Sequence, residues 1–146
     1  MKKIIIHTDG GSRGNPGPSA IGVVICDEKG RVVKEYSENI GVHTNNEAEY
    51  EAVVFALKKV RALYSKRVLT STEIEIRSDS ELLTKQLNGQ YKILEPKIQP
   101  LFLKVWNLKI DFEKLKFTSI NREMNKEADQ LVNAALDSKA STQTLF

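Results

Sequence analysis

The chain has 146 residues, 40% of them hydrophobic and 28% charged, with a net charge of +3. That length suits one domain with its own core, and no apolar run approaches the ~18 residues of a membrane-spanning helix. The only cysteine, Cys26, excludes an intrachain disulfide and a thiolate cluster, and a charge this small does not by itself indicate a nucleic-acid partner.

Lys2 to Thr8 is β-rich and apolar at its centre, which predicts a central strand buried on both faces, with Asp9 at its end. Its run Ile4-Ile5-Ile6 is too short for a signal peptide, so a strand of a cytoplasmic protein is expected. Gly10 to Pro18 is predicted as a loop, Ala20 to Cys26 as a second strand, and Asp27-Glu28-Lys29-Gly30 as a turn. Arg31 to Glu38 completes a hairpin.

Thr44-Asn45-Asn46-Glu47 is a capping box that opens a helix reaching about Leu63. Its apolar stripe runs through Val53, Ala56, Leu57, Val60 and Leu63, and Glu49 precedes Val53 by four residues, so Glu49 faces inward. Glu47 and Glu51 point elsewhere. Thr72 to Ser78 alternates as a strand with one dry face and places Asp79 at its carboxyl end. A short helix from Ser80 to Leu87 stops at Asn88-Gly89.

Pro96 and Pro100 bracket the start of a longer helix carrying Ile98, Leu101, Phe102, Val105, Leu108 and Phe112, with Trp106 packed beside that stripe. Leu115 to Ile120 is a fifth strand, and Asn125 is expected to cap a last helix reaching about Leu136. Residues 1–137 are read as the catalytic domain and 138–146 as a loosely held tail. The order of elements argues for an α/β fold, a five-stranded mixed sheet flanked by helices. Reactive sites of such sheets lie at the carboxyl ends of parallel strands, where Asp9 and Asp79 fall.

The glycine-rich segment lacks a Gly-Lys-Ser/Thr and precedes a strand, so it is neither a P-loop nor a dinucleotide fingerprint. One Asp at a strand end is more often a turn-former than a catalyst. Asp9, inward Glu49, Asp79 and Asp129 together are different, because neighbouring carboxylates cannot all ionise unless a divalent cation bridges them. Hard Mg²⁺ or Mn²⁺ suits an all-oxygen set, and a pair of ions about 3.5–4 Å apart clamps the attacking and leaving oxygens of a phosphodiester. No Ser-His-acid set competes, since His7 lies inside the first strand and His43 just before a cap. Between residues 85 and 116 seven lysines face three acids, and on this feature alone a solvated helix face is the favoured reading.

Thr8-Asp9-Gly10-Gly11-Ser12-Arg13-Gly14-Asn15-Pro16-Gly17, Thr44-Asn45-Asn46-Glu47-Ala48-Glu49, Ser78-Asp79-Ser80 and Asn125-Lys126-Glu127-Ala128-Asp129 together resemble type 1 ribonuclease H, in order and spacing, from residue 4 to about 136. The resemblance implies a ribonuclease H-like fold and an endonuclease that cuts the RNA strand of an RNA/DNA hybrid with two Mg²⁺ ions, Mn²⁺ being a substitute, leaving a 5′-phosphate and a 3′-hydroxyl. It implies metal-binding and catalytic roles for Asp9, Glu49, Asp79 and Asp129, with Asp9 bridging. It further implies minor-groove contacts from Asn15, Asn45 and Asn46, where the 2′-OH is read, and a DNA-phosphate contact from Thr44.

Two departures stand out. The stretch Ile120-Asn121-Arg122-Glu123-Met124 lacks the histidine of well-studied bacterial members, and Arg122 is assigned a related place near the metals and the nucleic acid. The basic, tryptophan-rich protrusion of those relatives is also absent, so the lysines of residues 85–116 become partial replacements for its grip. A monomer without an obligate protein partner is expected. Cleavage of an RNA/RNA duplex, an integrase-like nuclease, a hybrid-binding module without catalysis, and a plain structural α/β domain are the competing readings; the last leaves four misplaced acids unexplained.

Overall fold

The computed structural model describes residues 2–145, with side chains through residue 139. Five strands, β1 (Lys3–Ser12), β2 (Gly17–Cys26), β3 (Val32–His43), β4 (Glu73–Ser78) and β5 (Lys114–Ser119), form one sheet in the order β3-β2-β1-β4-β5. β1, β2 and β3 pair antiparallel, whereas β4 runs parallel to β1 and β5 parallel to β4. Helices α1 (Asn45–Leu63), α2 (Lys66–Ser71), α3 (Glu81–Leu87), α4 (Gln99–Lys109) and α5 (Lys126–Leu145) complete the fold, with a 3₁₀ turn over Arg122–Asn125. The mixed sheet flanked by helices is the architecture expected from the order of elements. Among the described residues, no helix is long and apolar enough to cross a membrane.

The isoleucine run of β1 is central because both sheet faces are covered there. Ile4 and Ile6 join Val53, Leu57 and Val60 of α1 and Val105 of α4 in the main core. Ile5 turns the other way and packs with Val24, Cys26 and Ala128 beneath α5. That helix lies close enough to the sheet that a Cβ on Gly22 would stand 2.2 Å from the Ala128 carbonyl oxygen, so only glycine fits at residue 22. α5 covers β1 to β3 but leaves the same face of β4 and β5 to side chains, where Glu75 is 3% exposed beneath Lys3, Arg77 and Thr118.

Several local expectations are corrected. The glycine-rich segment is not all loop: β1 continues to Ser12 and β2 begins at Gly17, because antiparallel pairing persists to Ser12 opposite Ser19. β3 extends to His43 along β2. α2 is an additional helix, capped by Ser65 and burying only Leu69, too short to show a helical period in sequence. Asn125 is not a cap; Asn121 caps the 3₁₀ turn, accepting from the Met124 N–H, and Asn125 is buried. Trp106 is 54% exposed, stacked on Phe102 at 6.1 Å between centroids, with the Lys109 ammonium over its ring. α5 runs unbroken past Leu136 and across residue 138, where a tail is expected; residue 146 and the side chains of 140–145 lie outside the described residues.

Candidate metal centre and nucleic-acid interface

The parallel register of β1 and β4 ends with His7 opposite Arg77, and carried on by two residues it brings Asp9 level with Asp79. Glu49 comes from the first turns of α1. Asp9, Glu49 and Asp79 each offer an oxygen, and these atoms lie within 4.8 Å of one another. The backbone fixes this meeting. Gly10 N donates to Glu49 Oε1 at 3.2 Å, and a Cβ on Gly10 would stand 2.2 Å from the Ala48 carbonyl oxygen. Ser78 Oγ donates to Glu49 Oε2 at 3.4 Å and accepts from Ser80 N at 3.0 Å, tying the end of β4 to the same carboxylate. Gly10 and Ser78 are supporting positions that sequence reading did not single out, although both lie inside the quoted blocks.

Asp129 falls outside that mutual set, although its carboxyl lies beside that of Asp9 and raises the proton affinity of Asp9. It is exposed in the first turn of α5, where it accepts from Asn133 Nδ2 at 3.4 Å, yet it lines the same open cleft of about 550 Å³. Arg122, also exposed, lines that cleft and lowers the proton affinity of Asp79 through its charge. Glu47 is separated from the trio as helix geometry predicts: its carboxylate accepts from Thr44 N at 2.9 Å, closing the capping box.

Burial dominates the electrostatics. It pushes Asp9 up to about 7 against a hydrogen bond with Glu49, and the charges of Asp79 and Asp129 add to the rise. Burial and then the Asp9 charge raise Glu49 well above the ordinary carboxylate range. Asp79 is raised by burial, against Arg122 and with Asp129. The bare cluster therefore retains a proton near neutral pH, as expected of carboxylates forced together without a cation.

On one flank the tip of the β1–β2 hairpin meets the start of α1. Thr44 Oγ1 accepts from Glu47 N at 3.2 Å. Asn45 Oδ1 accepts from Ser12 N at 2.9 Å, while Asn15 Oδ1 accepts from Asn45 N at 3.0 Å. Both asparagines thus use their carbonyl oxygens to build the frame, and their NH₂ groups remain for a ligand. Asn46 lines the cleft beside Asn45. The exposed Lys97, in the connection between α3 and α4, lies close enough to Glu47 for its charge to help hold that acid below its ordinary range, after the Thr44 backbone bond and against burial. It brings one of the seven lysines beside the α1 N-terminus.

The family model "Reverse transcriptase-like" matches residues 7–135. LC11-RNase H1, isolated from compost by a metagenomic approach, is 49% identical, with a TM-score of 0.91 over 96% of this chain and 99% of that one. In a crystal structure with an RNA/DNA hybrid, LC11-RNase H1 superposes with a TM-score of 0.89 at 48% identity, over 94% of this chain and 99% of that one. Ribonuclease HI of Halobacterium salinarum is 36% identical over 135 residues, 92% of this chain. The chain spans 65% of the length of that relative, and 37% of the mycobacterial bifunctional protein Rv2228c, which is 33% identical over 96% of this chain.

Proposed function

The chain belongs to the type 1 ribonuclease H family, and on that premise we propose that it is an endonuclease hydrolysing the RNA strand of RNA/DNA hybrids, giving 5′-phosphate and 3′-hydroxyl ends. The observation that carries this reading is the meeting of Asp9, Glu49 and Asp79 within 4.8 Å, in a cleft whose walls include Asn45, Asn46 and Arg122.

The donor set fits Mg²⁺, with Mn²⁺ as substitute: it is all oxygen, and burial, helped by the charges of Asp79 and Asp129, holds Asp9 at about 7 when no cation offsets it. Asp9, Glu49 and Asp79 would hold the ions, and Asp129 would complete the set from α5. When bound, two such ions supply charge stabilisation at the attacking and leaving oxygens of the phosphodiester.

The chain's own groups supply orientation and grip. Gly10 N and Ser78 Oγ hold one oxygen each of Glu49, which fixes the carboxylate plane. Asn15, Asn45 and Asn46 offer amide donors on the flank where a minor groove and its 2′-OH groups would lie. Thr44, at the positive end of α1, suits a phosphate of the DNA strand. Arg122 brings a fixed positive charge to the opposite wall, suited to phosphate or departing product.

Labelled RNA/DNA, RNA/RNA and DNA/DNA duplexes incubated with Mg²⁺ or Mn²⁺, alongside Asp9→Asn, provide the test. RNA should be cut in the hybrid by the parent protein and spared by the variant. No cleavage of hybrid RNA with either metal, or undiminished cleavage by Asp9→Asn, overturns the proposal, and equal cutting of RNA/RNA replaces hybrid selectivity with general RNA-duplex cleavage.

A further inference from the structure

Asn125 is 1% exposed and stands where three elements carrying the acids converge. Its Nδ2 donates to the carbonyl oxygen of Thr8 at 2.9 Å, across 117 residues, and Thr8 immediately precedes Asp9. The same amide lies beside the Asp79 carboxyl and favours its charged form, against the larger effect of burial. Asp129 follows four residues later, on the same side of the helix start.

Helix capping does not account for Asn125, because Asn121 performs it. Packing does not account for it either. Its Oδ1 is buried without a hydrogen-bond partner among the described residues, a liability that an apolar side chain of the same size would avoid. A polar group kept at such a place has a local task, and besides the His7 ring its polar neighbours are the backbone before Asp9 and the carboxyl of Asp79.

We infer that Asn125 is a positioning residue of the metal centre, locking the Thr8–Asp9 backbone and the Asp79 carboxyl to the start of α5 so that acids from β1, β4 and α5 converge on one site. This rests on the metal-dependent reading above. Asn125 lies beneath the acids rather than in the cleft wall, so it orients the groups that hold the cations and does not itself meet the nucleic acid. Partners that orient metal ligands from behind typically change metal affinity or activity by about 10- to 100-fold when removed.

The test uses Asn125→Leu, which keeps the branched shape without polarity, and Asn125→Ser, which is smaller and remains polar, so that one folded variant suffices. Mn²⁺ binding to the nucleic-acid-free protein is measured by calorimetry, together with Tm and the kcat and KM for hybrid cleavage. Expected are Mn²⁺ affinity weakened about tenfold or more and kcat reduced by a similar factor, with KM for the hybrid within about threefold of the parent. Parental Mn²⁺ affinity and kcat in a folded variant overturn the inference, as does an equal loss of kcat and KM performance that tracks Tm alone. If the parent binds Mn²⁺ but does not cut hybrid, the enzymatic reading fails instead, and the Mn²⁺ titration still decides the role of Asn125.

Discussion

The N–H of Gly10 donates to Glu49 Oε1 at 3.2 Å, and the backbones behind that bond are so close that residue 10 has no room for a side chain. A Cβ there would meet Ala48 O at 2.2 Å, Ala48 C at 2.3 Å and Glu49 N at 2.6 Å, all backbone atoms that cannot rotate away. Gly10→Ala must therefore push β1 and α1 apart at the point where Asp9 and Glu49 meet. Overpacking of this kind costs about 1–3 kcal/mol or more, a fall in Tm of roughly 3–10 °C for a chain of this size. Hybrid cleavage should fall further than the loss of folded protein explains, by about 100-fold. A Gly10→Ala protein with parental turnover would contradict the close-approach account.

The two glutamates of the α1 N-terminus should separate cleanly by mutation. Glu47→Ala removes the acceptor for the Thr44 N–H in the capping box, worth about 0.5–2 kcal/mol, and should leave kcat within a few-fold of the parent. Glu49→Gln should abolish metal-dependent cleavage while leaving the fold intact. Comparable activity losses in both variants, measured beside thermal melts, would argue against a distinct role for Glu49.

The acid cluster should make the metal-free protein lose stability as pH rises. Asp9 is raised from 3.8 to about 7 in the folded state, so between those values the folded chain binds more protons than the unfolded one. The associated stability is full below about pH 4 and lost as pH climbs through about 7, an effect of a few kcal/mol at most. Denaturant unfolding in a chelator should show this slope, Asp9→Asn should flatten it, and Mg²⁺ at pH 8 should restore stability through binding to the folded state. A metal-free protein equally stable at pH 5 and pH 8 would count against the crowding.

On the uncovered sheet face the sign reverses. Burial pushes Glu75 up, but the Thr118 hydroxyl at 2.6 Å, Lys3 at 2.9 Å and Arg77 at 3.0 Å outweigh it and hold the carboxylate at about 2 instead of 4.5. Its contribution, up to about 3 kcal/mol, is present above about pH 4.5 and lost as pH falls toward 2. Thr118→Val should destabilise the protein at pH 7 by about 1–3 kcal/mol and make acid unfolding shallower in that window. Identical acid-unfolding curves for parent and variant would rule the network out as a stabilising element.

Lys97 lies beside the α1 N-terminus and Arg122 beside Asp79, and salt dependence distinguishes phosphate contacts from solvated charge. Lys97→Gln should reduce the slope of log affinity against log salt by nearly one, roughly 0.7–0.9, for hybrid binding. Arg122→Ala should lower either affinity or turnover. An unchanged slope returns Lys97 to the surface, and Arg122 loses its assignment if both parameters stay at parental values.

Much of the site is legible in sequence because it depends on local rules. The capping box fixes where α1 begins, and from there helical spacing turns Glu49 inward and Glu47 outward, as found. Alternation along β4 assigns Glu75 and Arg77 to the wetter face, yet Glu75 is buried because Lys3 and Thr118 come over it from neighbouring strands, which no local pattern encodes. Asn125 reads as a cap because asparagine before a helix usually is one; its bond to Thr8, 117 residues away, exists only in three dimensions. The glycines after Asp9 read as a loop for a similar reason. Gly10 instead lets α1 approach a strand that continues past it.

Asp9 and Asp79 owe their proximity to adjacent strands of one ladder, His7 beside Arg77 and two residues further on. Their separation is therefore gauged by the peptide backbone, whose interstrand spacing of about 4.8 Å is common to all β-sheets. Exchanging one isoleucine for another aliphatic side chain in β1 changes the filling without moving the ruler. A slip of β4 by one residue does the opposite: it turns Ile74 and Ile76 out of the main core and carries Asp79 to the far face. The fold can thus drift widely in composition around this centre, provided the alignment of two strands is kept.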